Sequence, residues 1–280
     1  MDLQLTMTGR LTDCLLMSYR TPAESVRALL PEGLELVTRG PWAFWNVVSC
    51  RAVAMRPQVA GVAAPELLGV SYHHVAYRLL VQAMTRRADV RRGLYFLRSD
   101  ADARLLGTFG NWTTDFKFNH ARIQLTAEES DAGLQAGHDA SAGRYELRVD
   151  SNDGRADARV ELEPGPAELG PDSCFATLQD AREFLKYEPY ALAVAGRPGR
   201  RQLRIAEVQR DESAWREHPR RLRRQRLDYF QHLGQTEARL ELATRVEPLD
   251  YIWKLGACEP LLGQAAEPLP APAAPRVRSA

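Results

Sequence analysis

Lysine is scarce in this chain. It stands only at Lys117, Lys186 and Lys254, and apart from six histidines every other basic residue is an arginine. Chemistry that needs a side-chain amine therefore has three candidates. Long apolar runs are absent as well. No stretch approaches the roughly 18 residues of a membrane-spanning helix, so no membrane association is expected. The N-terminal MDLQLTMTGRLTD carries an acid at position 2 and lacks the apolar core of a secretory signal. Cysteine is limited to Cys14, Cys50, Cys174 and Cys258, far apart and without a CxxC pair or a short Cys/His ligand spacing. These absences predict a cytoplasmic protein with reduced thiols, no metal and no cofactor. Net charge is only +1, which gives no bulk attraction for nucleic acid. No Ser or Cys sits in a nucleophile elbow, and LLGTFGNW lacks the strand–turn–helix setting of a phosphate loop.

What is present is ample core material. Of 280 residues, 45% are hydrophobic, and all-β or α+β units of this length occur as single domains. LTDCLLMSY (residues 11–19), the aromatic WAFWNVVSCRAVAM (42–55), GVSYHHVAYRLLVQA (69–83), RRGLYFLR (91–98) and FKFNHARIQL (116–125) read as strands. YELRVD and ADARVELE flank SNDGR, a hairpin signal. RQLRIAEVQ and TEARLELATRVEPLDYIW supply the last strands. Helices are few. Thr21, Pro22 and Glu24 form a capping-box signal ahead of SVRALL. TLQDAREFLKY (177–187) has helical spacing, and SDADARLLGTF (99–109) is a short helix candidate. Strands outnumber helices and hairpins dominate, which predicts an α+β fold on a large antiparallel sheet or barrel. Residues 1–262 read as one domain. Residues 263–280 are Pro/Ala-rich without periodicity and read as a disordered tail.

The order of these pieces resembles a known family. YRTPAESVRALLPEGLEL, then the aromatic strand, then RRGLYFLRSDADARL, then F-x-F-x-H-A-R resemble the uncharacterised bacterial family DUF2071, which is similar to the acetoacetate decarboxylase superfamily. The resemblance implies an antiparallel barrel or cone enclosing a ligand, with a few short peripheral helices. It is strongest over residues 11–125 and extends weakly to about 262. Its motifs are patterns of packing and turns.

Decarboxylases of that superfamily form a Schiff base through a P-K-K lysine. Laying FKFNHA over the family's Y-P-K-K-L-A puts Lys117 on the proline, Phe118 on the Schiff-base lysine and Asn119 on its neighbour. The assisting arginine and glutamate fall near Thr12 and Val70. None of these roles is kept, which argues against decarboxylation by the family mechanism. Strand alternation tests this separately: Phe116, Phe118 and His120 share one face, and Lys117 and Asn119 the other. With the phenylalanines inward, Lys117 points out; it becomes a Schiff-base lysine only if the register is off by one.

The same alternation promotes other candidates. His120, His74 and Tyr72 are the candidate catalytic residues, for proton transfer or hydrogen bonding to an oxyanion. Phe118, Phe116 and Arg98 are the candidate ligand contacts, with Arg98 gripping an anion or else bracing a turn with Asp100. His73 and His74 are adjacent on a strand and cannot chelate one ion; a set of His74, His120 and Glu66 is the remaining metal pattern, and it is weak. The six arginines of residues 216–226 have acids nearby and no accompanying nucleic-acid motif. The expected partner is a small organic acid of keto or carboxylic type, met by an enzyme of lyase or isomerase kind or by a non-catalytic binding protein. A homo-oligomer stays open beside a monomer.

Overall fold

The computed structural model describes residues 5–59, 61–87, 89–104, 110–111, 114–128, 143–166, 168–186, 189–197 and 200–262. Among them are fifteen strands. In chain order they are β1 (Leu5–Pro22), β2 (Glu35–Leu36), β3 (Thr38–Arg39), β4 (Trp42–Val59), β5 (Val62–Ala63), β6 (Val70–Met84), β7 (Val90–Ala101) and β8 (Phe118–Glu128). After these come β9 (Arg144–Ser151), β10 (Ala158–Pro164), β11 (Tyr190–Ala195), β12 (Gln202–Arg210), β13 (Glu217–Leu227), β14 (Arg239–Val246) and β15 (Leu249–Pro260).

β1 organises the sheet because it pairs with three strands. Its first half pairs with β15 (Leu5↔Leu255 to Leu11↔Leu249), its second half with β14 (Cys14↔Val246 to Arg20↔Arg239), and most of its length with β4. The pairings therefore close two circuits. One runs β1–β15–β12–β11–β7–β6–β4, and it shuts through a single parallel bridge, Ala191↔Leu94. The other runs β1–β14–β13–β10–β9–β8–β7–β6–β4. β1, β4, β6 and β7 are common to both.

That shared wall is largely apolar on both faces, and side chains alternate between them. Leu15, Met17, Tyr19, Trp45, Val47, Val75, Tyr77 and Leu79 face the second circuit and belong to the largest buried hydrophobic cluster among the described residues. The helix Asp228–His232 plugs it: Phe230 lies 5.2 Å from both Tyr19 and Trp45, and Tyr229 lies 4.7 Å from Tyr77. Burying such side chains stabilises by about 1.5–3 kcal/mol each. The opposite face, with Cys14, Val48, Cys50, Leu94 and Phe96, belongs to a second cluster that includes Phe44, Phe175 and the helix Leu178–Leu185.

Several expectations are corrected here. Thr21 does not cap the first helix, Ala23–Arg27; it is buried and donates to Gln235 Oε1 at 2.9 Å, and Pro22 takes the cap position without a side-chain bond. The helical spacing over 177–187 is present as the helix Leu178–Leu185, capped by Thr177, which accepts from Asp180 N at 3.1 Å. Ser99 to Ala101 end β7 instead of opening a helix; residues 105–109 of that candidate lie outside the described residues, as does the tail 263–280. The arginine-rich run 216–226 is mostly strand β13, with Arg221 paired to Glu163 and Arg226 to Asp228. Among the described residues, no helix is long and apolar enough to cross a membrane.

Candidate functional site

The first circuit is hollow. A cavity of about 400 Å³ lies inside it. Its inner wall follows the strand alternation: Val70, Tyr72, His74 and Arg78 from β6, Val48, Cys50 and Ala52 from β4, Leu94 and Phe96 from β7. Two left-handed residues reset the alternation where it would otherwise fail. Asp13 (φ 51°) brings Leu11, Cys14 and Leu16 to one face of β1, and Ala54 (φ 51°) does the same for Ala52, Met55 and Pro57 of β4. Tyr251, Trp253, Val208 and Trp215 complete the far side.

The lining is mostly apolar, and its imidazole and guanidinium, His74 and Arg78, lie on one face of β6 with Tyr72. Tyr72 and His74 have ring centroids 6.3 Å apart, and His74 lies 5.3 Å from Phe118. Burial, helped by the nearby Arg78 charge, lowers the His74 pKa to about 3, so its imidazole is neutral at pH 7. Its Nε2 is buried without a hydrogen-bond partner. Burial raises the Tyr72 pKa, and Cys50 adds to the effect. Cys50 is pushed up to about 12, again chiefly by burial, with Arg78 opposing. Arg78 donates to Asn46 Oδ1 and stacks over Phe96, 5.4 Å from the ring centroid. It is the cation whose charge reaches Cys14, Cys50 and His74.

The sequence candidates are thus divided. Tyr72, His74, Phe116 and Phe118 line the cavity together. His120 does not. β8 pairs with β7 only at Ser99↔Phe118 to Ala101↔His120 before turning to β9. The face that bears Phe118 passes the end of the cavity there, and it continues outward as the exposed Arg122 and Gln124. His120 Nδ1 instead lies 3.2 Å from Asn152 Oδ1. Arg98 is also elsewhere. β6 pairs Arg78 with Phe96 but Tyr77 with Arg98, so Leu97 is a bulge that turns Arg98 onto the solid core. There its guanidinium is held by Asp100 (2.7 and 2.8 Å) and Asp153 (2.8 and 2.9 Å).

Lys117 sits before β8 with φ 56°, facing an outer cleft shared with Tyr95, Asn111, Asn119 and Val194. Its Nζ donates to the Tyr95 hydroxyl at 2.8 Å. His73 faces away from His74 and lies 3.1 Å from Asp102. His74 and His120 do not share a site, and among the described residues no group of three or more His, Cys, Asp or Glu could hold a metal ion. Arg78, Cys14 and Cys50 escaped the sequence reading. Extending the alternation from His74 by four residues reaches Arg78; no local signal reveals the bulge that turns Cys14.

The fold is similar to solved structures. An acetoacetate decarboxylase-like enzyme from Sphingomonas wittichii RW1 superposes with a TM-score of 0.58 at 14% identity, covering 91% of this chain and 92% of that one. The enduracididine biosynthesis enzyme MppR, complexed with pyruvate, gives 0.55 at 13% identity over 92% and 90%. Acetoacetate decarboxylase from Legionella pneumophila gives 0.52 at 13% over 90% and 86%. At such identities the likeness speaks for the fold alone. No curated protein matches. Residues 8–242 match DUF2071, described as an uncharacterized conserved protein, and the chain belongs to that family.

Proposed function

We propose that the chain binds a small organic acid or carbonyl compound with an apolar body, enclosed by the first circuit as a barrel-like cone. One observation carries this reading: a mostly apolar cavity of about 400 Å³ whose imidazole and guanidinium, His74 and Arg78, share one face of β6 with Tyr72. Small-molecule sites have this make-up, mostly apolar with a few convergent polar groups. The neutral imidazole and the protonated phenol are hydrogen-bonding groups at pH 7. Neither has the near-neutral pKa that suits a proton carrier. Arg78 supplies positive potential at the same end, which favours a carboxylate or a polarised carbonyl oxygen. That MppR was solved with pyruvate supports the ligand class by analogy of fold only.

A second reading, an enzyme of lyase or isomerase kind, has one observation in its favour. Tyr72 and His74 are close neighbours on one face, and a bound carboxylate would raise the His74 pKa towards neutrality. Proton transfer would then proceed without a Schiff-base lysine.

The test is to titrate the full chain with hexanoate, decanoate and their 2-oxo analogues, following emission from Trp215 and Trp253 in the cavity wall. Saturable binding by the wild type is expected, lost in Ala52→Trp, which fills the cavity. Equal binding in Ala52→Trp, or none by the wild type, overturns the reading. Solvent deuterium entering a bound 2-oxo acid at C3, and ceasing in His74→Phe, would establish the enzyme over the binder.

A further inference from the structure

Two cysteines face the cavity, and the fold sets them against each other. β1 and β4 pair Thr12 with Arg51 and Leu15 with Ser49, so a bulge opposes Asp13 and Cys14 to the single residue Cys50. Cys14 and Cys50 both line the cavity, which puts both thiols on one face of the shared wall. They are near enough that Cys50 contributes to raising the Cys14 pKa, second only to burial. Opposed residues of an antiparallel pair have Cα atoms about 4.5–5.5 Å apart. That is the spacing of a regular ladder; the bulge makes Cys14 a neighbour of the position opposite Cys50, and a disulfide spans a Cα window of about 4.4–6.8 Å. Val70, which lines the same cavity, is 44% exposed, so the cavity reaches solvent. The other two cysteines are placed differently: Cys174 lies 3.7 Å from Glu241, and Cys258 is exposed on β15.

We propose that Cys14 and Cys50 form an oxidisable dithiol opening on the cavity, which a low-molecular-weight disulfide closes into a Cys14–Cys50 bond. One cysteine loses its proton and attacks a sulfur of the small disulfide, releasing one thiol and leaving a mixed disulfide. The second cysteine loses its proton and attacks the protein sulfur of that intermediate, releasing the second thiol. Two S–H bonds and the reagent's S–S bond break, the Cys14–Cys50 bond forms, and two electrons pass to the reagent. Both thiols are held protonated by burial, so closure quickens as pH rises. A molecule filling the cavity covers both sulfurs and slows it.

The experiment treats the wild-type chain with glutathione disulfide at pH 8.5, blocks remaining thiols under denaturing conditions and maps tryptic peptides. The expected product is residues 11–20 joined to residues 40–51, two hydrogens lighter than the separate peptides together. Recovery of Cys14 and Cys50 as blocked thiols, or as separate glutathione adducts, overturns the proposal. A parallel sample contains saturating decanoate. Closure in both samples at the same rate upholds the dithiol and counts against the ligand reading of the cavity; closure slowed by decanoate upholds both.

Discussion

His74 and Cys50 stand directly opposite each other on β6 and β4, and both side chains face the cavity. With Cys14 on β1 they make a row across three strands of the shared wall. Burial moves all three pKa values towards the neutral form, raising the two thiols and lowering the imidazole. The wall thus presents neutral hydrogen-bonding groups, with charge supplied by Arg78.

Holding His74 neutral has a pH signature. Its folded pKa of about 3 lies below the ordinary 6.5. As pH falls below 6.5 the unfolded chain takes up a proton that the folded chain refuses, so this stabilisation is present above 6.5 and lost towards 3. The slope is at most about 1.4 kcal/mol per pH unit. Urea unfolding of His74→Phe between pH 6.5 and 4.5 should show a flatter fall than the wild type, and identical slopes would contradict the burial.

Arg98 anchors the solid core. Asp100 is fully buried beside it, and Asp153 is held well below the usual carboxylate range chiefly by its hydrogen bond to Arg98. Removing one member of a buried pair costs about 3–5 kcal/mol. Arg98→Met should lower stability by that order in urea unfolding. Folded Arg98→Met should still bind cavity ligands normally, because Arg98 lies on the other face of the wall. Selective loss of binding without loss of stability would restore Arg98 as a ligand contact.

The first circuit closes where β11 meets β7, and Gly93 permits the approach. A Cβ there would lie 2.6 Å from Tyr190 O and 2.9 Å from Leu192 Cγ. Gly93→Ala should cost about 1–3 kcal/mol by overpacking and weaken cavity binding by loosening the single bridge. Retention of both properties would show that the closure is dispensable.

Lys117 carries backbone strain. A left-handed conformation costs a non-glycine residue about 1–2 kcal/mol, while its contact with Tyr95 is of exposed type, worth about 0.5–1 kcal/mol. Lys117→Ala keeps the strain and loses the contact; Lys117→Gly loses both. The glycine variant should therefore be the more stable of the two by about 1 kcal/mol. Borohydride with pyruvate should leave no adduct on Lys117 in the wild type, as mass spectrometry of the intact chain and its peptides would report.

Much of the fold was legible because alternation is a local property. The run from Val70 to Arg78 places Tyr72 and His74 on one face in sequence and in space. Phe96 and Arg98 show the limit of that logic. They share parity, yet the bulge at Leu97 sends one to the cavity and the other to the solid core. Asp13 and Ala54 redirect their strands in the same way, as non-glycine residues at positive φ that no turn motif announces. His120 keeps its predicted parity with Phe118 but stands where the cavity has already ended.

The sequence by itself determined the family, the strand-rich class and the scarcity of amines, because these follow from residue order and short-range periodicity. It also determined the helix Leu178–Leu185, whose spacing is a local property. Only the tertiary structure decided which circuit is hollow. Both faces of the shared wall are largely apolar, so hydrophobic pattern cannot tell a packed face from a cavity. That choice is made by chain segments far away: the helix Asp228–His232 fills one circuit, and the bridge Ala191↔Leu94 closes the other around empty space.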